Sequence, residues 1–122
     1  MLDETNYKID ENNSLLILDD DQPFLKRLSV AMEKRGFNVF PANSMAEFSR
    51  IIESDCPNYA IIDLRLSDGT GLDAVESIRN VNPESKIIVL TGYGAIATAV
   101  AAVKVGAIDY LSKPADANDI LN

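Results

Sequence analysis

Five short strand-like runs, four of them stopped by a polar group and each followed by a segment with helical spacing, constrain this chain more than any other feature. Ser14-Leu15-Leu16-Ile17-Leu18 stops at Asp19-Asp20-Asp21, and Tyr59-Ala60-Ile61-Ile62 stops at Asp63. Residues 86–90 stop at Thr91, and Asp109–Ser112 stops at Lys113-Pro114. Residues 37–40 form the remaining, shorter run. Runs that stay apolar instead of alternating belong to strands buried on both faces, the usual state in a parallel sheet.

The segments between them carry helix punctuation. Pro23 suits a first helical turn; Phe24, Leu28, Ala31 and Met32 follow at helical spacing, and Gly36 is a stop. Ser44 with Glu47 has the form of a capping box, Met45, Phe48, Ile51 and Ile52 face inward, and Cys56-Pro57 closes that helix. Asp68-Gly69-Thr70-Gly71 reads as a turn before a helix carrying Leu72, Val75 and Ile78. An alanine-rich helix spans 95–105 up to Gly106, and a last helix starts at Ala115 and is cut short at Asn122. Alternation of this kind predicts an α/β fold, a doubly wound parallel sheet with helices on both faces, reached by right-handed crossovers. Residues 1–13, with four acids against Lys8, read as a flexible lead-in, and 14–122 as one domain. The short last helix leads us to expect a longer native chain.

Composition narrows the chemistry. The chain has 122 residues, of which 47% are hydrophobic and 25% charged, enough for one core without staples. A single cysteine, Cys56, excludes an internal disulfide and fits a reduced, cytoplasmic setting. No apolar run is long enough to span a membrane, and the start has no secretory leader. A net charge of −8 argues against this segment gripping nucleic acid. There is no histidine, which removes Ser-His-Asp and Cys-His nucleophiles, HExxH zinc sites and a self-contained phosphohistidine relay.

What remains are carboxylates, hydroxyls and lysine, and the strand ends collect them. Ligand sites of open parallel sheets lie beyond the carboxyl ends of the strands. Asp19, Asp20, Asp63, Thr91 and Lys113 therefore converge on one rim. Taken singly, each has an ordinary reading: the acids as a solvated helix cap or strand end, Thr91 as a β-branched strand residue, Lys113 as a surface cation. Together, clustered acids repel unless a cation relieves them, and a hard divalent ion such as Mg²⁺ needs only one or two carboxylates plus waters. The set reads as a phosphoryl site.

The residues at this rim resemble the receiver domain of two-component response regulators. The resemblance covers residues 14–122 and rests on Leu-Asp-Asp-Asp at 18–21, Ile-Asp-Leu at 62–64, Leu-Thr-Gly at 90–92 and Tyr-Leu-Ser-Lys-Pro at 110–114. Pro-Phe-Leu-Lys-Arg-Leu at 23–28 and the run from Leu90 to Asn118 are similar to one subgroup, the redox-responsive global regulators of the RegA/PrrA/ActR type. The resemblance implies the flavodoxin-like receiver fold with strand order 2-1-3-4-5. It implies Asp63 as phosphoacceptor, and Mg²⁺ held by Asp20, Asp63 and the Arg65 backbone carbonyl, with Asp19 acting through water. Thr91 matches the switch hydroxyl, Lys113 the phosphate-pairing lysine and Tyr110 the switch aromatic. Arg65 and Tyr93 match the positions that govern access of water. Ser67 departs from the family's usual proline, and Asp21 leaves the register of the acidic pair open by one residue.

The same resemblance implies a sensor histidine kinase as phosphodonor and a readout through the fourth helix, fifth strand and fifth helix. The controlled element would be the native chain's own C-terminal DNA-binding domain, in transcription regulation tied to redox or photosynthesis. Such a chain is no enzyme beyond its own phosphorylation and dephosphorylation. Homodimerisation of the phosphorylated form stays open. A Mg²⁺-dependent aspartyl-nucleophile phosphatase is the alternative, but the second acid expected two residues after the nucleophile is Arg65 here. A flavodoxin-like nucleotide-binding module would want a phosphate loop where Asp19-Asp20-Asp21 stands.

Overall fold

Neighbouring residues of the first strand, β1 (Ser14–Leu18), go to opposite sides of the sheet. Leu15 and Ile17 join one apolar cluster, Leu16 and Leu18 the other, and all four are at most 2% exposed. This is why the run is apolar without alternation: both faces are covered. The computed structural model describes residues 13–66, 69–92, 96–112 and 120. The other strands are β2 (Asn38–Ala42), β3 (Tyr59–Asp63), β4 (Lys86–Thr91) and β5 (Asp109–Ser112). They form one parallel sheet in the order β2-β1-β3-β4-β5, as expected. Four helices are described: α1 (Gln22–Lys34), α2 (Met45–Ser54), α3 (Gly71–Val81) and α4 (Ile96–Lys104). The final helix expected from Ala115 lies outside the described residues apart from Ile120.

On one face, α1 supplies Phe24, Leu25, Leu28 and Met32, which pack with Leu15, Ile17, Ile61, Leu90 and Ile120. On the other, Phe48 of α2, Ala74, Val75 and Ile78 of α3, and Ala99 and Ala102 of α4 cover Leu16, Leu18, Ile62, Ile87 and Val89. Each fully buried Leu, Ile, Val or Phe side chain contributes about 1.5–3 kcal/mol of transfer free energy. The small residues of α4 leave that helix close against the sheet, with Ala99 and Ala102 both 0% exposed.

Some boundaries differ from the sequence reading. The second strand includes Pro41 and runs to Ala42. Proline is tolerated there because, among the described residues, β2 is an edge strand paired with β1 alone, so its missing N–H costs no ladder bond. The helix expected to close at Cys56-Pro57 stops earlier, at Ser54, with Asp55 as its cap. Ser44 Oγ accepts from the Glu47 N–H at 3.2 Å, but the returning Glu47 carboxylate accepts from Asn43 N–H at 2.7 Å, one residue earlier than in a regular capping box. Of the turn expected at 68–71, Gly69 and Thr70 pair with Leu66 and Arg65 as a two-residue antiparallel ribbon and Gly71 opens α3, while Asp68 lies outside the described residues. Gly36, at φ 98, ends α1 in a Schellman arrangement: Phe37 N–H donates to Met32 carbonyl and Gly36 N–H to Glu33 carbonyl. Asn13, the last residue of the expected lead, accepts from Asn38 N–H and donates its side-chain amide to Gly36 carbonyl.

Asp21 is the N-cap of α1. Its carboxylate accepts from Phe24 N–H at 3.2 Å, and Pro23 sits in the first turn. Asp21→Ala should therefore cost about 1 kcal/mol. The expected result is a lower urea midpoint at unchanged slope, with divalent-cation affinity unaltered. A loss of cation affinity would show that the cap assignment is wrong.

Candidate functional site

Parallel pairing fixes where the strand ends lie. The register sets Leu18 of β1 beside Ile62 of β3, and Asp63 beside Leu90 of β4. The next residues along, Asp19 and Thr91, therefore flank Asp63 on its two neighbouring strands. Asp19 is held by backbone as well as by position: its N–H donates to Ala42 carbonyl at 3.0 Å, and its Oδ1 accepts from Asp21 N–H at 2.9 Å.

Carboxylate oxygens of Asp19, Asp20 and Asp63 all lie within 4.8 Å of one another. Asp19 is 0% and Asp63 5% exposed, whereas Asp20 reaches solvent. Two unit charges at that separation repel by about 3 kcal/mol at an effective dielectric of about 20. Crowding of this size favours a positive charge among the oxygens, and an oxygen-only donor set suits a hard divalent ion. The three consecutive acids thus divide their work: Asp21 caps α1, while Asp19 and Asp20 join Asp63.

Thr91 is 1% exposed, and its hydroxyl donates to Gly92 carbonyl at 3.2 Å. It is in register with Ser112 of β5, so Lys113 follows directly from the residue beside Thr91. Lys113 and Tyr93 themselves lie outside the described residues. Tyr110 is half-buried in register with Val89, two residues before Thr91, and packs against the cluster under α2–α4. Arg65 is exposed at the start of the ribbon, paired with Thr70. Cys56 is remote from the rim; burial first and the Asp55 carboxylate second push its thiol up from its ordinary range, so it is protonated at neutral pH.

One contributor was not singled out from the sequence. Gly71 begins α3, and its N–H donates to Leu64 carbonyl at 3.2 Å. A Cβ at Gly71 would stand 2.5 Å from the Asp63 carbonyl oxygen and 2.8 Å from Leu64 Cα. The helix therefore touches the backbone that carries Asp63, which only glycine allows. Thr70 caps the same helix through Leu72 N–H at 3.1 Å. Gly71→Ala should push α3 off this backbone at a cost of about 1–3 kcal/mol. Urea unfolding and a cation titration should both worsen, in contrast to Asp21→Ala; unchanged cation affinity would show that Gly71 does not position Asp63.

Comparison with known proteins agrees with this geometry. The profile of the response regulator receiver domain matches residues 15–122. The chain is 64% identical to the photosynthetic apparatus regulatory protein RegA of Rhodovulum sulfidophilum over 117 residues, covering 96% of this chain and 64% of that protein. It is 59% identical to the acid tolerance regulatory protein ActR of Rhizobium meliloti over 113 residues, covering 93% of this chain and 58% of that one. The chain thus spans about three fifths of the length of these relatives. Among solved structures, a response regulator from Burkholderia pseudomallei with a phosphorylated aspartic acid, calcium ion and citrate superposes with a TM-score of 0.84 at 37% identity. That match covers 89% of this chain and 64% of the other. A receiver domain from Clostridium thermocellum gives 0.82 at 32% identity, covering 88% and 86%. On the profile match and these identities, the chain belongs to the response regulator receiver domain family.

Proposed function

We propose that this domain is a phosphoacceptor switch in which Asp63 takes a phosphoryl group from a phosphohistidine on a separate sensor kinase. The observation that carries the reading is the meeting of three carboxylates at the sheet rim, with Asp63 only 5% exposed between Asp19 and Thr91. These 122 residues hold no histidine, so the domain supplies no phosphohistidine of its own. Transfer breaks the donor's P–N bond and forms an acyl phosphate on an Asp63 carboxylate oxygen.

A carboxylate approaching a phosphoryl group needs charge on the equatorial oxygens neutralised. Asp20, Asp63 and the Arg65 carbonyl would hold Mg²⁺, with Asp19 acting through water; the ion supplies that neutralisation when bound. The rigid end of β3, held between β1 and β4, fixes Asp63 for in-line attack. Lys113 would pair with the new phosphoryl oxygens, and Thr91 would turn its hydroxyl toward them. Tyr110, half-buried beside the same strand, would follow into the space that Thr91 leaves. Arg65 and Tyr93 would restrict the approach of water behind the phosphorus. The readout face would be α4, β5 and the helix after it, acting on a DNA-binding domain of the whole protein. Phosphorylation-linked dimerisation through that face is compatible with the exposed Val100 and Val103 of α4. An aspartyl phosphatase is less well supported, since Arg65 stands where that chemistry places its second acid, and its side chain is exposed.

Two outcomes test this. After acetyl phosphate and Mg²⁺, intact-mass spectrometry should show one added phosphoryl on wild type and none on Asp63→Asn; a variant that still gains the mass excludes Asp63. Asp20→Ala should bind Mg²⁺ at least about tenfold more weakly, yet melt no lower than wild type in chelator, because removing one crowded charge relieves repulsion. A metal-free melting temperature several degrees below wild type would contradict the crowding argument.

A further inference from the structure

The end of α4 far from the rim is fastened by more than helix capping. Gly106 sits at φ 132, a conformation that disfavours any side chain. Gly106 N–H donates to Val103 carbonyl and Ala107 N–H to Ala102 carbonyl, a complete Schellman stop. Ile108 N–H then donates to Ile87 carbonyl at 2.8 Å, tying the exit of α4 to the start of β4. Ala102 and Ala107 are 0% and 4% exposed.

Across this stop lies Arg79, from the last turn of α3. Its Cγ, Cδ and Nε would stand 2.6, 2.7 and 2.8 Å from a Cβ at Gly106, so the side chain lies directly on the glycine. Its Nη1 donates to Ser85 carbonyl at 3.1 Å, in the turn that leads into β4. Ser85 is 2% exposed, and its N–H donates to Asn82 carbonyl. Asn82 in turn donates its amide to Pro57 carbonyl at 3.3 Å. One arginine therefore clamps three elements: the end of α3, the start of β4 and the end of α4. At its other end, α4 follows Thr91, where a phosphorylation signal would enter.

We infer that Gly106 under Arg79 is the fulcrum of α4, and that Arg79 is a positioning residue for the switch. Motion started at Thr91 is taken up in the first turns of the helix, while the last turn stays pinned to α3 and β4. The inference rests on the phosphoacceptor reading, and it adds which end of the output helix moves and which residue decides that. Removing the Arg79 side chain frees the lower end and lets the same signal spread along the whole helix.

NMR-detected amide hydrogen exchange tests this, with beryllofluoride plus Mg²⁺ as the probe. In wild type, the probe should change exchange at residues 96–100 at least about threefold more than at 103–107. In Arg79→Ala the two changes should become equal, and Arg79→Lys, which keeps a stem over Gly106, should restore the gradient. Equal changes at both ends of wild-type α4 would overturn the fulcrum, and this arm needs no variant to fold. An unaltered gradient in Arg79→Ala would remove Arg79 from the role. A probe that changes exchange nowhere in the chain would overturn the phosphoacceptor reading together with the inference. A change confined to the rim residues would leave that reading standing and refute the lever alone.

Discussion

Parallel pairing of β3 between β1 and β4 is the constraint on which the site depends. It sends three strand ends to the same edge in step, so that Asp19, Asp63 and Thr91 become neighbours although 72 positions separate the first from the last. The apolar clusters on both faces hold that register, because a slip by one residue would exchange the partners of Leu15 and Leu16 across the sheet. The backbone thereby assembles carboxylates that repel one another, and the stability of the two cores makes that crowding bearable.

Backbone-scale contacts support the site. Asp19 is pinned through its N–H to Ala42 and through its carboxylate to Asp21 N–H. Asp63 rests on the close approach of α3 at Gly71. Asp20 is the exposed member, placed by its neighbours on either side. A rim built in this way holds its oxygens in place, which would limit the reorganisation that the proposed transfer requires.

Much of this was legible in the sequence because the signals are local and strong. Short apolar runs, most of them ending in a polar group, revealed the strands, and their order in a parallel sheet followed from family resemblance. Other details depend on long-range contact. The cap on α1 falls to Asp21, and Pro23 in the first turn is the local sign of it. The second run reads as residues 37–40, and β2 extends through Pro41 to Ala42 because its edge position is a property of the assembled sheet. Gly71 looked like turn chemistry, whereas its need comes from Asp63 and Leu64, eight and seven residues away. The partnership of Arg79 with Gly106 has no sequence sign at all, since the two lie on different helices' ends.

The central claim is that the three rim carboxylates make phosphorylation of Asp63 dependent on a divalent cation. The most direct measurement is the extent of acetyl-phosphate labelling of the wild-type chain, followed by intact mass, in Mg²⁺ and in EDTA. The account predicts one phosphoryl group per chain with Mg²⁺ and essentially none with EDTA. Equal labelling in both would contradict it.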